Sequence, residues 1–189
     1  MTDEVIREEK DEEGDSLSEE EALLDQITVT PEDSAQFPSE LVLETQAHLN
    51  DEERQNLYQK ILHMTVPQKI RLAMLGNREA RNLLIQDRNR VISMAVLRSP
   101  RLSENDALSY AQQRNLPQEV FTVLGKNKRW TKYYPVKLAL VNNPKTPLHI
   151  SMRFMEYLTE RDLKTLSRNK NVSSVLTHSA RNILQKRGK

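Results

Sequence analysis

From Asn50 to the C-terminus, apolar residues recur at helical spacing, but only in short runs. Each run is closed by a capping residue, a proline or a cluster of charges. A helix of two or three turns is marginal in water, because its nucleation cost is set against few hydrogen bonds. Its apolar stripe must be covered by neighbours, so a chain of such helices folds only as a packed array. No stretch alternates apolar and polar residues with a period of two, and no sheet is expected.

The helix starts are legible one at a time. Asn50-Asp51-Glu52-Glu53 pairs a capping residue with an acidic residue three positions later. Leu57, Ile61, Leu62 and Met64 then form one apolar face. In Thr65-Val66-Pro67-Gln68, Thr65 can cap, Pro67 sits in the first turn where it loses no hydrogen bond, and Gln68 completes the box. Ser103-Glu104-Asn105-Asp106 and Thr159-Glu160-Arg161-Asp162 read as further starts.

Two internal echoes organise the region. The first is a small Ala between large apolar residues near a helix end: Leu72-Ala73-Met74-Leu75-Gly76-Asn77, Met94-Ala95-Val96-Leu97-Arg98-Ser99 and Leu138-Ala139-Leu140-Val141-Asn142-Asn143. The Ala residues lie 22 and then 44 positions apart, and Pro100 and Pro144 stop the second and third copies. The second echo is a polar basic link: Ile85-Gln86-Asp87-Arg88-Asn89-Arg90-Val91, Leu124-Gly125-Lys126-Asn127-Lys128-Arg129-Trp130 and Leu166-Ser167-Arg168-Asn169-Lys170-Asn171-Val172. Short helices joined by such links predict an all-α fold, a short α-solenoid of stacked helix pairs.

The 22-residue spacing, the Leu138-Ala139-Leu140-Val141-Asn142-Asn143-Pro144 type of helix end and the short paired helices resemble the HEAT-like and leucine-rich-repeat-variant families, over roughly residues 50–186. The resemblance implies an interaction scaffold for protein partners, and some HEAT-like members bind DNA. The variant-repeat family can carry a Cys-ligated iron–sulfur cluster. This chain has no Cys, so that feature does not carry over.

Charge divides the chain. Residues 1–60 hold 19 Asp and Glu against 4 Lys and Arg, a net of −15. The remaining residues hold 24 basic and 8 acidic groups, a net of +16. Residues 1–46 are poor in aromatics and rich in Asp, Glu and Ser, so they cannot bury enough apolar surface to offset their ordering entropy. They are expected to form a disordered acidic tail ahead of a basic helical repeat domain at 47–189. Two apolar islands interrupt the tail, Leu23-Leu24 with Ile27 and Val29, and Leu41-Val42-Leu43. They read first as incidental hydrophobes, and second as docking segments that fold onto a groove. The N-terminus lacks the apolar core of a signal peptide, and no apolar run approaches the ~20 residues of a membrane span. The expectation is a cytoplasmic protein with no membrane association.

Chemistry is hard to seat. The chain has no Cys and four Gly, at 14, 76, 125 and 188, which leaves no thiolate, no Cys-ligated metal and no Gly-rich phosphate loop. His48, His63, His149 and His178 lack metal-ligand spacing. The carboxylates beyond residue 60 fall mostly at helix starts, where the helix dipole favours them. No enzyme activity and no cofactor is expected.

The basic links carry Arg88, Arg90, Lys126, Lys128, Arg129, Arg168 and Lys170. In a stack these residues would align as a stripe able to track acidic helices or phosphates. Lys128 to Lys137 adds the only Trp, Trp130, with Lys132, Tyr133 and Tyr134. Cations between aromatics suit a protein hot spot or base stacking. Trp130 occupies the position of Val91 and Val172 in the other links and reads first as core. The leading expectation is therefore a scaffold that binds an acidic protein segment, with its own tail as intramolecular partner and autoinhibitor. The second is a nucleic-acid binder using the same cations with Tyr133 and Tyr134. A third, a HEAT-like DNA glycosylase, has no acidic catalytic residue or aromatic cage to rest on.

Overall fold

The computed structural model describes Leu24, Ile27, residues 29–44 and residues 50–188. Among them are twelve α-helices and no strand. The chain divides into two compact units, Met1–Arg101 and Leu102–Lys189. Among the described residues no helix is long and apolar enough to cross a membrane.

The first unit contains a 3-10 turn, Pro31–Gln36, and helices α1 (Ser39–Val42), α2 (Asp51–Leu62), α3 (Val66–Leu75), α4 (Arg78–Leu84) and α5 (Arg90–Arg98). Asn50 caps α2 as its sequence predicts: its side chain accepts from Glu53 N at 2.8 Å, and Glu53 accepts from Asn50 N at 2.9 Å. Gln68 closes the α3 start by accepting from Thr65 N at 2.9 Å. The unit is centred on α3 packed along α5, with α4 against both. Ala73 and Ala95, two members of the Ala echo, are wholly buried there. Six consecutive α5 residues, Ile92 to Leu97, are buried, and the polar one, Ser93, donates its hydroxyl to Arg90 O at 2.9 Å.

Part of the segment expected as a tail falls among the described residues. Residues 1–23, 25, 26, 28 and 45–46 lie outside the described residues. Residues 29–44, however, are built into the first unit. The 3-10 turn packs on α3, and α1 packs on α3 and α4. Leu24, Phe37, Leu41 and Val42 are buried, whereas Leu43 is exposed. The cause is a set of polar ties from later in the chain. Asn77 N donates to Leu41 O at 2.8 Å, and Asn77 Nδ2 donates to Glu40 O at 2.7 Å and Leu43 O at 2.9 Å. Arg101 donates to Val42 O at 2.9 Å and Leu75 O at 2.6 Å. The C-terminal carbonyls of α1, orphaned by so short a helix, are thus satisfied.

The second unit contains α6 (Glu104–Gln112), α7 (Gln118–Lys126), α8 (Lys128–Thr131), α9 (Tyr134–Asn142), α10 (Leu148–Met155), α11 (Glu160–Leu166) and α12 (Ser174–Arg187). Helix α9 packs on α6, α8 and α10, and α12 packs on α10 and α11. Tyr110, Phe121, Trp130, Leu140 and Leu163 form much of the core. Asn143 repeats the role of Asn77: its Nδ2 donates to Ala111 O at 2.8 Å and Gln113 O at 2.6 Å, closing the end of α6. Ala139, the third member of the Ala echo, is only half-buried and faces an open depression with Leu108 and Pro135. Gly125 marks the closest approach of α7 to α10, because a Cβ there would lie 2.6 Å from Ile150 Cγ2.

Two outcomes follow for stability. Asn77→Ala should cost about 1–3 kcal/mol, since it frees the part-buried carbonyls of Glu40 and Leu43 and removes the side-chain cap that Asn77 gives Ala80 N at the start of α4. Residues 29–44 should then gain amide exchange and protease sensitivity ahead of the rest of the first unit. Gly125→Ala should cost about 1–3 kcal/mol by overpacking against Ile150. Thermal melts of Gly125→Ala, Ile150→Ala and the double variant should show non-additivity, with the second change costing less when the first is present.

Candidate functional site

The basic links share a physical core that is an Asn rather than a cation. In each link the side-chain oxygen of the central Asn accepts from the backbone N–H two residues on. Asn89 accepts from Val91 at 3.0 Å, Asn127 from Arg129 at 2.9 Å and Asn169 from Asn171 at 2.9 Å. Asn suits this place because its short amide folds back onto its own backbone. The cations flank it: Arg88 and Arg90, Lys126 and Lys128, Arg168 and Lys170. Arg88, Lys126, Lys128, Arg168 and Lys170 are exposed, and Arg90 is half-buried. None of those five exposed groups forms an ion pair with a described residue.

Other expected site residues are committed to the fold. Arg129 is exposed, but its guanidinium lies 4.3 Å from the Trp130 ring centre and donates to Leu102 O at 3.2 Å. Trp130 is 2% exposed, in line with its reading as core. Lys132 lies 4.6 Å from the centre of the half-buried Tyr133 ring, and both line an open depression with Ser103, Glu104 and Arg129. The Tyr134 hydroxyl accepts from Thr159 N at 3.0 Å and donates to Asp162. That hydroxyl is part of the N-cap of α11, together with Thr159, whose hydroxyl donates to Asp162 at 2.7 Å and accepts from Asp162 N at 3.2 Å. Of the two tyrosines, only Tyr133 keeps a hydroxyl without a described partner.

Sequence reading passed over two cations that the fold joins to this set. On α11 the buried residues are Leu163 and Leu166, so the opposite face presents Arg161, Lys164 and Thr165, and Arg168 follows in the turn after the helix. These four line one open groove with Glu160 and Asn169. The i, i+3, i+7 spacing was a readable signal. The second unit as a whole holds 16 Lys and Arg against 6 Asp and Glu, a net of +10.

Among the described residues no three His, Asp or Glu side chains gather as metal ligands. His63, His149 and His178 are exposed. Comparison with protein-family models, with curated proteins and with solved structures finds no match for the chain.

The Tyr134 and Thr159 hydroxyls hold the Asp162 carboxyl below the usual carboxylate range, with the Arg161 charge helping. A depressed carboxyl contributes stability above its unfolded pKa and loses it as pH falls through the folded one. Tyr134→Phe removes the leading cause. The Asp162 titration, followed by carboxyl NMR, should move up toward its ordinary value, and acid unfolding should begin at higher pH.

Proposed function

We propose that the chain is a non-enzymatic helical-repeat adaptor of the HEAT-like or leucine-rich-repeat-variant kind, which binds an acidic protein segment through its basic surface. The observation that carries this reading is the second unit's charge of +10 together with exposed link cations held in no ion pair. A surface that needs only solubility mixes its signs, and so large an excess of one sign suits steering and capture of an oppositely charged partner.

Recurring ties support the repeat. Ser99 reaches Met74 O, Arg101 reaches Leu75 O, Arg129 reaches Leu102 O, Arg153 reaches Gly125 O and Arg187 reaches Leu158 O, over separations of 25, 26, 27, 28 and 29 residues. A regular reach of this kind is what stacked units of similar length produce. In such a stack the Asn-centred links of the second unit, at Asn127 and Asn169, would recur along one edge, and their cations with them.

A nucleic-acid reading rests on the same cations but finds few aromatic rings beside the links. Single-strand binders lay bases on exposed aromatic faces. Trp130 is buried and the Tyr134 hydroxyl is committed, which leaves the half-buried Tyr133 under Lys132 and the exposed Tyr157, whose ring centre lies 4.8 Å from Lys137 Nζ.

The acidic N-terminal residues would then compete for the basic surface in cis. A tethered segment acts at an effective concentration on the order of mM, so weak contacts suffice to hold it. Because residues 29–44 belong to the first unit, the competing segment is residues 1–21. Fluorescence anisotropy with a labelled 15-residue poly-glutamate and a labelled 15-nucleotide oligo-dT decides the matter. At low salt the chain lacking residues 1–21 should bind poly-glutamate several-fold more tightly than the full chain. The difference should shrink near physiological salt, where the Debye length falls to about 8 Å. Equal binding by both forms would remove autoinhibition. Tight oligo-dT binding that survives physiological salt would put nucleic acid first.

A further inference from the structure

The basic surface is not uniform, and one part of it is built as a seat. We infer that the groove on the outer face of α11, lined by Arg161, Lys164 and Arg168, is the docking site for an acidic polypeptide segment. The inference rests on the adaptor reading above and gives it a location.

The groove encloses about 920 Å³ of open space and has Glu160, Thr165 and Asn169 as its other lining residues. Arg161 and Lys164 lie about one turn apart on α11, and Arg168 follows in the turn two residues past its last residue, Leu166. All three are exposed, and none is held in an ion pair with a described residue. The floor beneath them is rigid. Leu163 and Leu166 are fully buried, the Thr165 hydroxyl donates to Arg161 O at 3.1 Å, and Asn169 Nδ2 donates to Asn142 Oδ1 at 3.1 Å. Cations on a fixed frame lose less entropy on binding than cations on a mobile loop.

One effect opposes an anion here. The C-terminal end of a helix carries partial negative charge from its unsatisfied carbonyls. Arg181 blunts that end by donating to Ser167 O at 3.2 Å. What remains is three positive charges with a single carboxylate, Glu160, at the groove's N-terminal edge. That carboxylate separates two classes of polyanion. A nucleic acid, with a phosphate at every residue, avoids Glu160 only by ending short of that edge. A polypeptide can set carboxylates against Arg161, Lys164 and Arg168 and place a neutral or basic residue opposite Glu160. The lining also holds no aromatic ring for a base to stack on.

The test uses poly-glutamate and oligo-dT anisotropy at low salt, on the full chain and on the chain lacking residues 1–21. The groove variant is Arg161→Gln with Lys164→Gln and Arg168→Gln. A charge-matched control neutralises three exposed cations elsewhere in the second unit, Arg114→Gln with Lys145→Gln and Lys186→Gln. Thermal melts check that each variant is folded. The groove variant should weaken poly-glutamate binding tenfold or more, and the control less than threefold. Arg161→Lys with Arg168→Lys keeps the charge and should keep the affinity within threefold. Equal losses in groove and control variants would overturn the groove while leaving a diffuse basic surface. Failure of both wild-type forms to bind poly-glutamate would overturn the adaptor reading and the groove together. Oligo-dT binding tighter than poly-glutamate, and lost in the groove variant, would overturn the polypeptide assignment.

Discussion

Carbonyl groups at helix ends are the constraint on which this structure depends. Every helix leaves its last four C=O groups without an internal partner, and a chain cut into short helices multiplies those ends. Here the ends are closed from a distance by side chains. Asn77 and Asn143 each bridge two carbonyls at the end of an earlier helix, and Arg101, Arg153, Arg181 and Arg187 each donate to at least one such carbonyl, while Arg129 donates to a carbonyl in the link before α6. A cation suits a helix C-terminus on electrostatic grounds as well, since that is the negative end of the dipole. Packing of the apolar stripes brings the helices together, and these ties fix where one ends against the next.

This use of arginine reshapes the question of function. A net charge counts every cation as available to a partner, but several are already spent on backbone. Among those that remain, two groups stand out. One is beside the Asn turns, where the central residue does the structural task and its neighbours face water. The other is the outer face of α11, where buried Leu163 and Leu166 force Arg161 and Lys164 outward, next to Arg168 of the Asn169 turn. The cations open to a partner are the ones the fold does not need.

Aromatic residues divide in the same way. Trp130 and Tyr134 lie within a segment that looks, in one dimension, like an alternating basic and aromatic binding strip. In three dimensions Trp130 fills the core under Arg129, and Tyr134 completes the cap of a helix 25 residues later. Both are committed to the fold.

The local steps of this fold were legible in the sequence because they depend on neighbours. The capping at Asn50, Thr65, Ser103 and Thr159 acts across three residues, and the Asn turns across two. Helical periodicity likewise assigned Leu57 and Ile61 to the core, and position within the link did so for Trp130. The seat of Leu41 and Val42 could not be read that way. It depends on Asn77 and Arg101, up to 59 residues further on, and an apolar pair in an acidic segment carries no mark of so distant a partner. The sequence by itself determined the helices, their ends and the sign of each charge, all of which follow from short-range chemistry. Only the tertiary structure decided which cations close helix ends and which stay free. That choice turns on which carbonyl comes within hydrogen-bond reach, and packing alone brings it there.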